Sequence, residues 1–250
     1  LSLLFSALRL VRSEASLFLA LSASSPFLAG NATGVHSQRW VQFPKTPTNV
    51  PMFLDHSHYV KWVEEQLCQG NMHNERHLWI SVRPNGPERP HLLNRLELRI
   101  CDLVCNVDLL LAITALLELR IINLTNNIKK YDPIEASSKT QTELALLSDE
   151  NDLNAAKSSL DANLCHWRNG KNIKCRDWIK ELLLDVTPLA KDLNMLELLQ
   201  PIESVLNKGN QSMIWLESYS KGVSIQSLLE KGISEMELEE TNSIHMKSTL

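Results

Sequence analysis

Apolar residues recur at spacings of three and four along most of the chain and at spacings of two in one short stretch. That contrast sets the expected elements. Leu4, Leu8, Val11, Ala15 and Phe18 mark a helix over residues 1–21, ended by the serine-rich run 22–25 and Pro26. Asp55 or Ser57 can cap a helix over 58–69, with Val60, Val63 and Leu67 inward and Gly70 as its stop. Leu109, Ile113, Leu116, Leu117, Ile121, Leu124 and Ile128 give one long helix over 108–130, fraying at Asn126 to Lys130 before Pro133. A polar run at 137–142 follows, and everything after it reads as helix. The expected segments are 151–167, 177–196 with an interruption at Pro188, 201–208 stopped by Gly209, 211–219, and 225–230 capped by Ser224. Glu237, Glu239 and Glu240 then read as a solvated tail.

The period-two stretch is 95–101. Strict alternation places Leu96, Leu98 and Ile100 on one face of a strand and Arg95, Glu97, Arg99 and Cys101 on the other. Members of the charged row stand roughly 7 Å apart. Ile80, Val82 and Arg83 form a second alternating piece, and the proline- and glycine-rich run 84–90 can fold it back beside the first. A solvated sheet face could carry such a row without any function. The arginines at 39, 76, 83, 89, 95 and 99, all near turns or strands, point instead to carboxylate or phosphate recognition by guanidinium forks. A glutamate among them suits Mg²⁺ bridging it to phosphate oxygens. A helical interaction module, its arginines paired with acidic neighbours, is the rival reading.

Composition narrows the field. The 250 residues carry 25 Lys and Arg against 29 Asp and Glu, a net charge of -4, with no basic stripe interleaved with aromatics. Nucleic acid is therefore an unsuitable partner. The five cysteines, at 68, 101, 105, 165 and 175, form no zinc spacing and no CxxC pair, which fits a reducing compartment. Arg9, Arg12 and Glu14 interrupt the first apolar run, so neither a membrane span nor a signal peptide is expected. No Gly-rich phosphate loop, nucleophile elbow or HExxH occurs. The run Asp55-His56-Ser57-His58 reads as helix capping rather than metal ligation. The proline-broken connection around Pro44, Pro47 and Pro51 is expected to be an ordered loop, held by Trp40 and Phe43.

Longer stretches carry a resemblance. Arg12 to Ser16, Leu19 to Phe27, Thr33-Gly-Val-His-Ser-Gln-Arg39, Arg83 to Pro90 and Asn94-Arg-Leu-Glu-Leu-Arg-Ile-Cys-Asp102 resemble the cyanobacterial glutamate–cysteine ligases, within the carboxylate–amine ligases. The resemblance implies an α+β fold: a glutamine-synthetase-like antiparallel catalytic sheet, incomplete here, with packed helices and a mostly helical C-terminal half. It divides the chain into 1–131, part of the catalytic domain; 132–142, a linker; and 143–250, a helical region packed on that domain. It implies a cytoplasmic enzyme that joins the γ-carboxylate of glutamate to cysteine, with ATP as co-substrate and Mg²⁺ as cofactor, the first step of glutathione biosynthesis. Another amine in place of cysteine is the alternative. By the same resemblance Glu97 ligates Mg²⁺, Arg99 and Arg83 are catalytic, and Arg39, His36 and Arg95 bind substrate or nucleotide. Family members open with a strand of closely spaced glutamates that this sequence lacks, so an N-terminally truncated polypeptide is expected.

Overall fold

A computed structural model describes residues 1–247, with side chains through Leu238. Its spine is helix α1 (Ser2–Ser22), which is buried on all sides from Phe5 to Ser22 rather than along a single stripe. One flank, with Leu10, Leu17, Phe18 and Leu21, joins a core that includes Leu116, Leu119, Trp178, Ile179 and Ile202. The other, with Phe5, Leu8, Val11, Ala15 and Leu19, meets Tyr59, Val63, Val82, Ile100, Ala155 and Ala156. Each large side chain so buried contributes about 1.5–3 kcal/mol.

A helix buried all round must also settle its charges, because an unpaired buried charge is prohibitively costly. Arg9 forks onto Asp132, Nε donating to Oδ1 at 2.8 Å and Nη2 to Oδ2 at 2.5 Å. Arg12 donates to the carbonyls of Val50 and Pro51 at 2.8 and 2.6 Å. Glu14 accepts from Arg120 at 3.0 and 2.7 Å and from the indole of Trp167 at 3.2 Å. The three charges that interrupt the first apolar run are thus the points where remote segments are fastened to the spine.

After α1 come a short hairpin of β1 (Phe27–Leu28) and β2 (Asn31–Ala32), one turn of α2 (Gln38–Val41), and α3 (His56–Cys68). Ser37 caps α2 and Asp55 caps α3, each accepting from a backbone N–H of the first turn. The proline-broken loop between them is ordered, as expected. Trp40 is buried and stacks on Phe43 at 4.6 Å, and Thr46 pairs its backbone with Trp79. Strands β3 (Val82–Asn85) and β4 (Arg95–Leu98) pair antiparallel.

The long helix α4 (Val107–Asn126) ends earlier than its apolar pattern suggests. Asn127 breaks it and caps a separate turn, α5 (Ile128–Tyr131), and Asp132 caps α6 (Pro133–Ala136). Helix α7 (Gln141–Ser158), opened by a Thr140–Glu143 capping box, makes the most extensive packing against α1. In this way the second half of the chain lies directly on the first.

The second half is not wholly helical. The helix expected over 151–167 holds only to Ser158, as the end of α7, after which the chain forms a hairpin of β5 (Asn163–Cys165) and β6 (Asn172–Lys174). Helix α8 (Cys175–Asp192) runs through Pro188 without interruption. The carbonyl that proline leaves without its N–H belongs to Leu184, 74% exposed, where water can take its place. Helices α9 (Gln200–Lys208), stopped by Gly209, α10 (Gln211–Ser220) and α11 (Ile225–Lys247) complete the order. Ser224 caps α11, which runs far beyond residue 230. Glu237 is exposed, while the side chains of Glu239 and Glu240 lie outside the described residues. Among the described residues the strands make three separate two-stranded antiparallel sheets, so the architecture is α+β with helices predominating.

Candidate functional site

The β3–β4 register places Arg83 opposite Glu97 and Asn85 opposite Arg95. Directly opposed residues of an antiparallel pair share a face, so these four side chains stand together. Val82, Pro84, Leu96 and Leu98 take the opposite face. Val82 is fully buried there, and Leu96 and Leu98 pack against the core. Strand pairing ends at Leu98, yet alternation continues for two residues: Arg99 bears on Glu97 and Ile100 is fully buried in the core that Leu96 and Leu98 pack against. Cys101, expected on the charged face, packs against the core instead, and burial pushes its thiol up to about 11.

Glu97 is held at both oxygens. Oε2 accepts from Arg83 Nε at 3.1 Å and Nη2 at 2.7 Å, and Oε1 accepts from the Asn85 amide. Asn85 Oδ1 in turn accepts from Arg89 Nη1 at 2.5 Å and from the Gly86 N–H at 2.9 Å. The Arg83 guanidinium is fixed from behind by the Arg76 carbonyl at 2.9 Å. Around this chain lies a cleft of about 450 Å³, lined by Arg76, Arg83, Arg89 and Arg95 against two carboxylates, Glu75 and Glu97. Burial acts to raise the Glu97 carboxyl. Its bonds to Arg83 and the charges of Arg83, Arg89 and Arg99 outweigh that and hold it below the usual carboxylate range. Burial and mutual repulsion lower Arg89 and Arg99, which remain charged. A group of arginines so arranged suits a ligand carrying more than one negative charge.

Arg83, Arg95 and Glu97 thus meet in one cleft, as the alternation requires. Arg99 lies at its edge. It donates to the Leu78 carbonyl at 3.3 Å, rests 5.5 Å over the Phe43 ring, and is close enough to bear on Glu97. Arg39 and His36 do not line the cleft. Arg39 donates to Asp102 Oδ1 at 2.9 Å and, through Nη2, to the carbonyls of Arg99, Ile100 and Cys101. It therefore braces the segment that follows β4. Asp102 also accepts from Ser24 N, Ser25 and Ser37 at 2.7 to 3.0 Å. His36 bonds Ser159 Oγ at 2.5 Å in a different network, and burial lowers its pKa.

Sequence reasoning passed over Asn85 by assigning it to a turn. The signal was available, because Asn85 follows Arg83 at period two and shares its face. Asp55, His56 and His58 are engaged in capping and loop contacts: Asp55 caps at His58 N, His58 accepts from Leu54 N, and His56 Nε2 meets the Pro90 carbonyl at 2.9 Å.

For a divalent cation the donor set is sparse. Among the described residues no group of three or more His, Cys, Asp or Glu is placed to hold a metal. Glu97 has about four lone-pair sites, and Arg83 and Asn85 use three of them. One remains. That fits an ion that arrives with phosphate and water ligands, as Mg²⁺ does, and not one caged by protein alone.

A model of glutamate-cysteine ligase family 2 matches residues 4–240. A protein of Herpetosiphon aurantiacus is 25% identical over 219 residues, covering 87% of this chain and 54% of the relative. One from Sorangium cellulosum is 26% identical over 222 residues, 88% of this chain and 56% of its own. One from Frankia alni is 30% identical over 194 residues, with shares of 77% and 48%. All three are provisionally named glutamate–cysteine ligases of type 2. The chain spans about half the length of the curated relatives it matches.

Proposed function

The chain belongs to glutamate–cysteine ligase family 2, and on that premise we propose that the arginine cleft serves the ATP-dependent joining of the L-glutamate γ-carboxylate to L-cysteine. The observation that carries this reading is the capture of Glu97 between Arg83 and Asn85 inside a cleft of four arginines. Such a site offers positive charge in quantity and one oriented carboxylate. A neutral or cationic ligand would have little use for it. In the same reading β3 and β4 belong to an antiparallel catalytic sheet of the glutamine-synthetase type, and the protein acts in the cytoplasm as the first step of glutathione synthesis. Among the described residues no helix is long and apolar enough to cross a membrane.

The chemistry follows from the carboxylate. A free carboxylate is a poor acyl donor, so its oxygen attacks the γ-phosphorus of ATP and ADP leaves. The acyl phosphate then accepts the cysteine amine, which loses a proton as phosphate departs. Charge builds on the phosphoryl oxygens during the first transfer, and fixed guanidiniums near them stabilise it without reorganising. Arg83 and Arg99 are assigned that role, with Arg95 and Arg89 on the rest of the phosphate chain. Arg39 acts on the substrate side only through the backbone it braces, while His36, bonded to the Ser159 hydroxyl in a separate network, stays outside the cleft. Mg²⁺, when bound at the free lone pair of Glu97, adds Lewis-acid neutralisation of phosphate charge. No protein nucleophile is needed.

Glutamate labelled with ¹⁸O in its γ-carboxylate tests the acyl phosphate. The protein expressed from its complete coding region should transfer one labelled oxygen to inorganic phosphate for each amide formed. Amide formation with unlabelled phosphate would overturn the mechanism. Labelled phosphate with another amine, and none with cysteine, would keep the chemistry and change the acceptor.

A further inference from the structure

Ser159, where the chain leaves α7, holds φ +40° and ψ −116°, a backbone conformation that residues other than glycine rarely adopt. Such a residue persists only where its surroundings over-determine it, and here they do. Its hydroxyl oxygen accepts from Asn210 Nδ2 at 2.8 Å and lies 2.5 Å from His36 Nδ1. Asn210 also caps α10, accepting from the Met213 N–H at 3.0 Å, and donates to the Ala20 carbonyl of α1 at 2.7 Å. Ser159 and Asn210 are both buried from water.

The directions of these bonds follow from the groups themselves. An amide nitrogen only donates, so the Ser159 oxygen is the acceptor toward Asn210 and its own proton points to His36. His36 therefore accepts at Nδ1 and carries its proton on Nε2. Burial favours that neutral form and lowers its pKa. Asp161, the charged group that bears on it from the surrounding elements, opposes the shift without cancelling it. The backbone of His36 is fastened too: its N–H donates to the Ala156 carbonyl at 3.0 Å, and its carbonyl accepts from the Ser212 hydroxyl at 2.5 Å.

This network and the brace behind the cleft meet through the next three residues. Ser37 donates its N–H to the same Ala156 carbonyl at 2.8 Å and its hydroxyl to Asp102 Oδ1 at 2.8 Å. That oxygen also takes Arg39 Nε, whose guanidinium holds the carbonyls from Arg99 to Cys101. The strained turn at Ser159 is thus tied, through residues 36–39, to the backbone of an arginine at the edge of the cleft.

We infer that Ser159 and His36 are positioning residues for the arginine cleft, the serine hydroxyl seating the imidazole and, with it, the Arg39 brace behind Arg99. The inference rests on the cleft being the nucleotide site. It makes the seat sensitive to acid. A proton on His36 Nδ1 meets the Ser159 oxygen, and the serine proton, sealed from water, loses its acceptor. As pH falls below 6.5, the ordinary histidine value, the folded chain resists that proton until the segment yields and Arg39 shifts with it.

The test follows the Arg39 Nε–H in ¹H–¹⁵N spectra of the full chain, assigned by its loss in Arg39→Lys, beside the imidazole resonances of His36. The Arg39 signal should move with the His36 titration. Ser159→Ala and Ser159→Gly, the second of which also relieves the backbone, should both raise the His36 pKa toward its ordinary value. His36→Asn offers the serine an amide oxygen that does not titrate, and should leave the Arg39 signal flat over the same pH range. In the protein expressed from its complete coding region, Ser159→Gly should raise KM for ATP roughly three- to tenfold and change kcat less. An Arg39 signal that ignores the His36 titration would overturn the coupling. So would a His36 pKa unchanged in both serine variants, or an Arg39 signal that still titrates in His36→Asn. Spectra that behave as expected in a protein that does not bind ATP would uphold the coupling and count against the ligase reading alone.

Discussion

Arg83 and Glu97 face each other across the β3–β4 ladder and are joined by two hydrogen bonds onto a single carboxylate oxygen. That leaves the other Glu97 oxygen to Asn85. Glu97→Gln removes the negative charge but not the shape, and its side chain faces away from the core, so the fold should persist. Arg99→Lys and Arg83→Lys keep charge and lose the planar fork. Turnover at saturating substrate should fall on the order of 100-fold in each, with melting temperatures close to wild type. Unchanged kcat and KM for ATP across all three would return this strand pair to a solvated sheet face.

Gly86 lies where the hairpin leaves β3, and a Cβ there would sit 1.7 Å from the carbonyl oxygen of Leu92. Neither backbone can yield without moving the loop that carries Arg89. Gly86→Ala should therefore destabilise the protein by about 1–3 kcal/mol in urea unfolding and raise KM for ATP. A variant as stable and as active as wild type would show that the loop is not held in this conformation.

The α1–α7 contact hides a pH dependence. Asp152 is wholly buried, with neither carboxyl oxygen bonded. The groups facing it are Arg12 on α1, Asp149 on its own helix, Lys45 from the loop and the Ser81 hydroxyl. Burial outweighs the cations and pushes its carboxyl up to about 8. Between the ordinary carboxylate range and pH 8 the folded chain keeps a proton that the unfolded chain has released. Stability should therefore fall as pH rises through that window and level off above it. Asp152→Asn should abolish that slope and raise the melting temperature at pH 8 by roughly 4 °C or more. An equal slope in the variant would place the titration elsewhere.

Glu14 and Arg120 form a buried pair whose side chains are 1% and 3% exposed. Glu14→Ala strands one guanidinium edge and the Trp167 N–H together, and should cost about 3–5 kcal/mol in chemical denaturation. A cost below about 1 kcal/mol would mean that Asp185 alone satisfies Arg120.

These networks mark where sequence reading ends. Helices α3, α9 and α10 were legible because capping residues and glycine stops act locally, and β3 and β4 because alternation is local too. The partners of Arg9 and Glu14 stand 123 and 106 positions away. Nothing near those residues reveals that their charges are internal. The β5–β6 hairpin was missed because Leu153, Leu160, Leu164 and Trp167 happen to keep helical spacing. The Asn169-Gly170 turn, with Gly170 at φ +68°, was the opposing signal. In the cleft, Arg83, Arg95 and Glu97 were recoverable from period two. The bracing placement of Arg39 depends on Asp102 and a run of carbonyls that no spacing rule identifies.

The proposed role of the cleft around Glu97 is ATP-dependent ligation of glutamate. The most direct measurement is the stoichiometry of products when the protein, expressed from its complete coding region, is incubated with glutamate, cysteine, ATP and Mg²⁺. γ-Glutamylcysteine, ADP and phosphate should form in equal amounts, with a loss on the order of 100-fold in Glu97→Gln. A folded protein that forms no amide from glutamate with cysteine or any other amine, and hydrolyses no ATP in its presence, would contradict it.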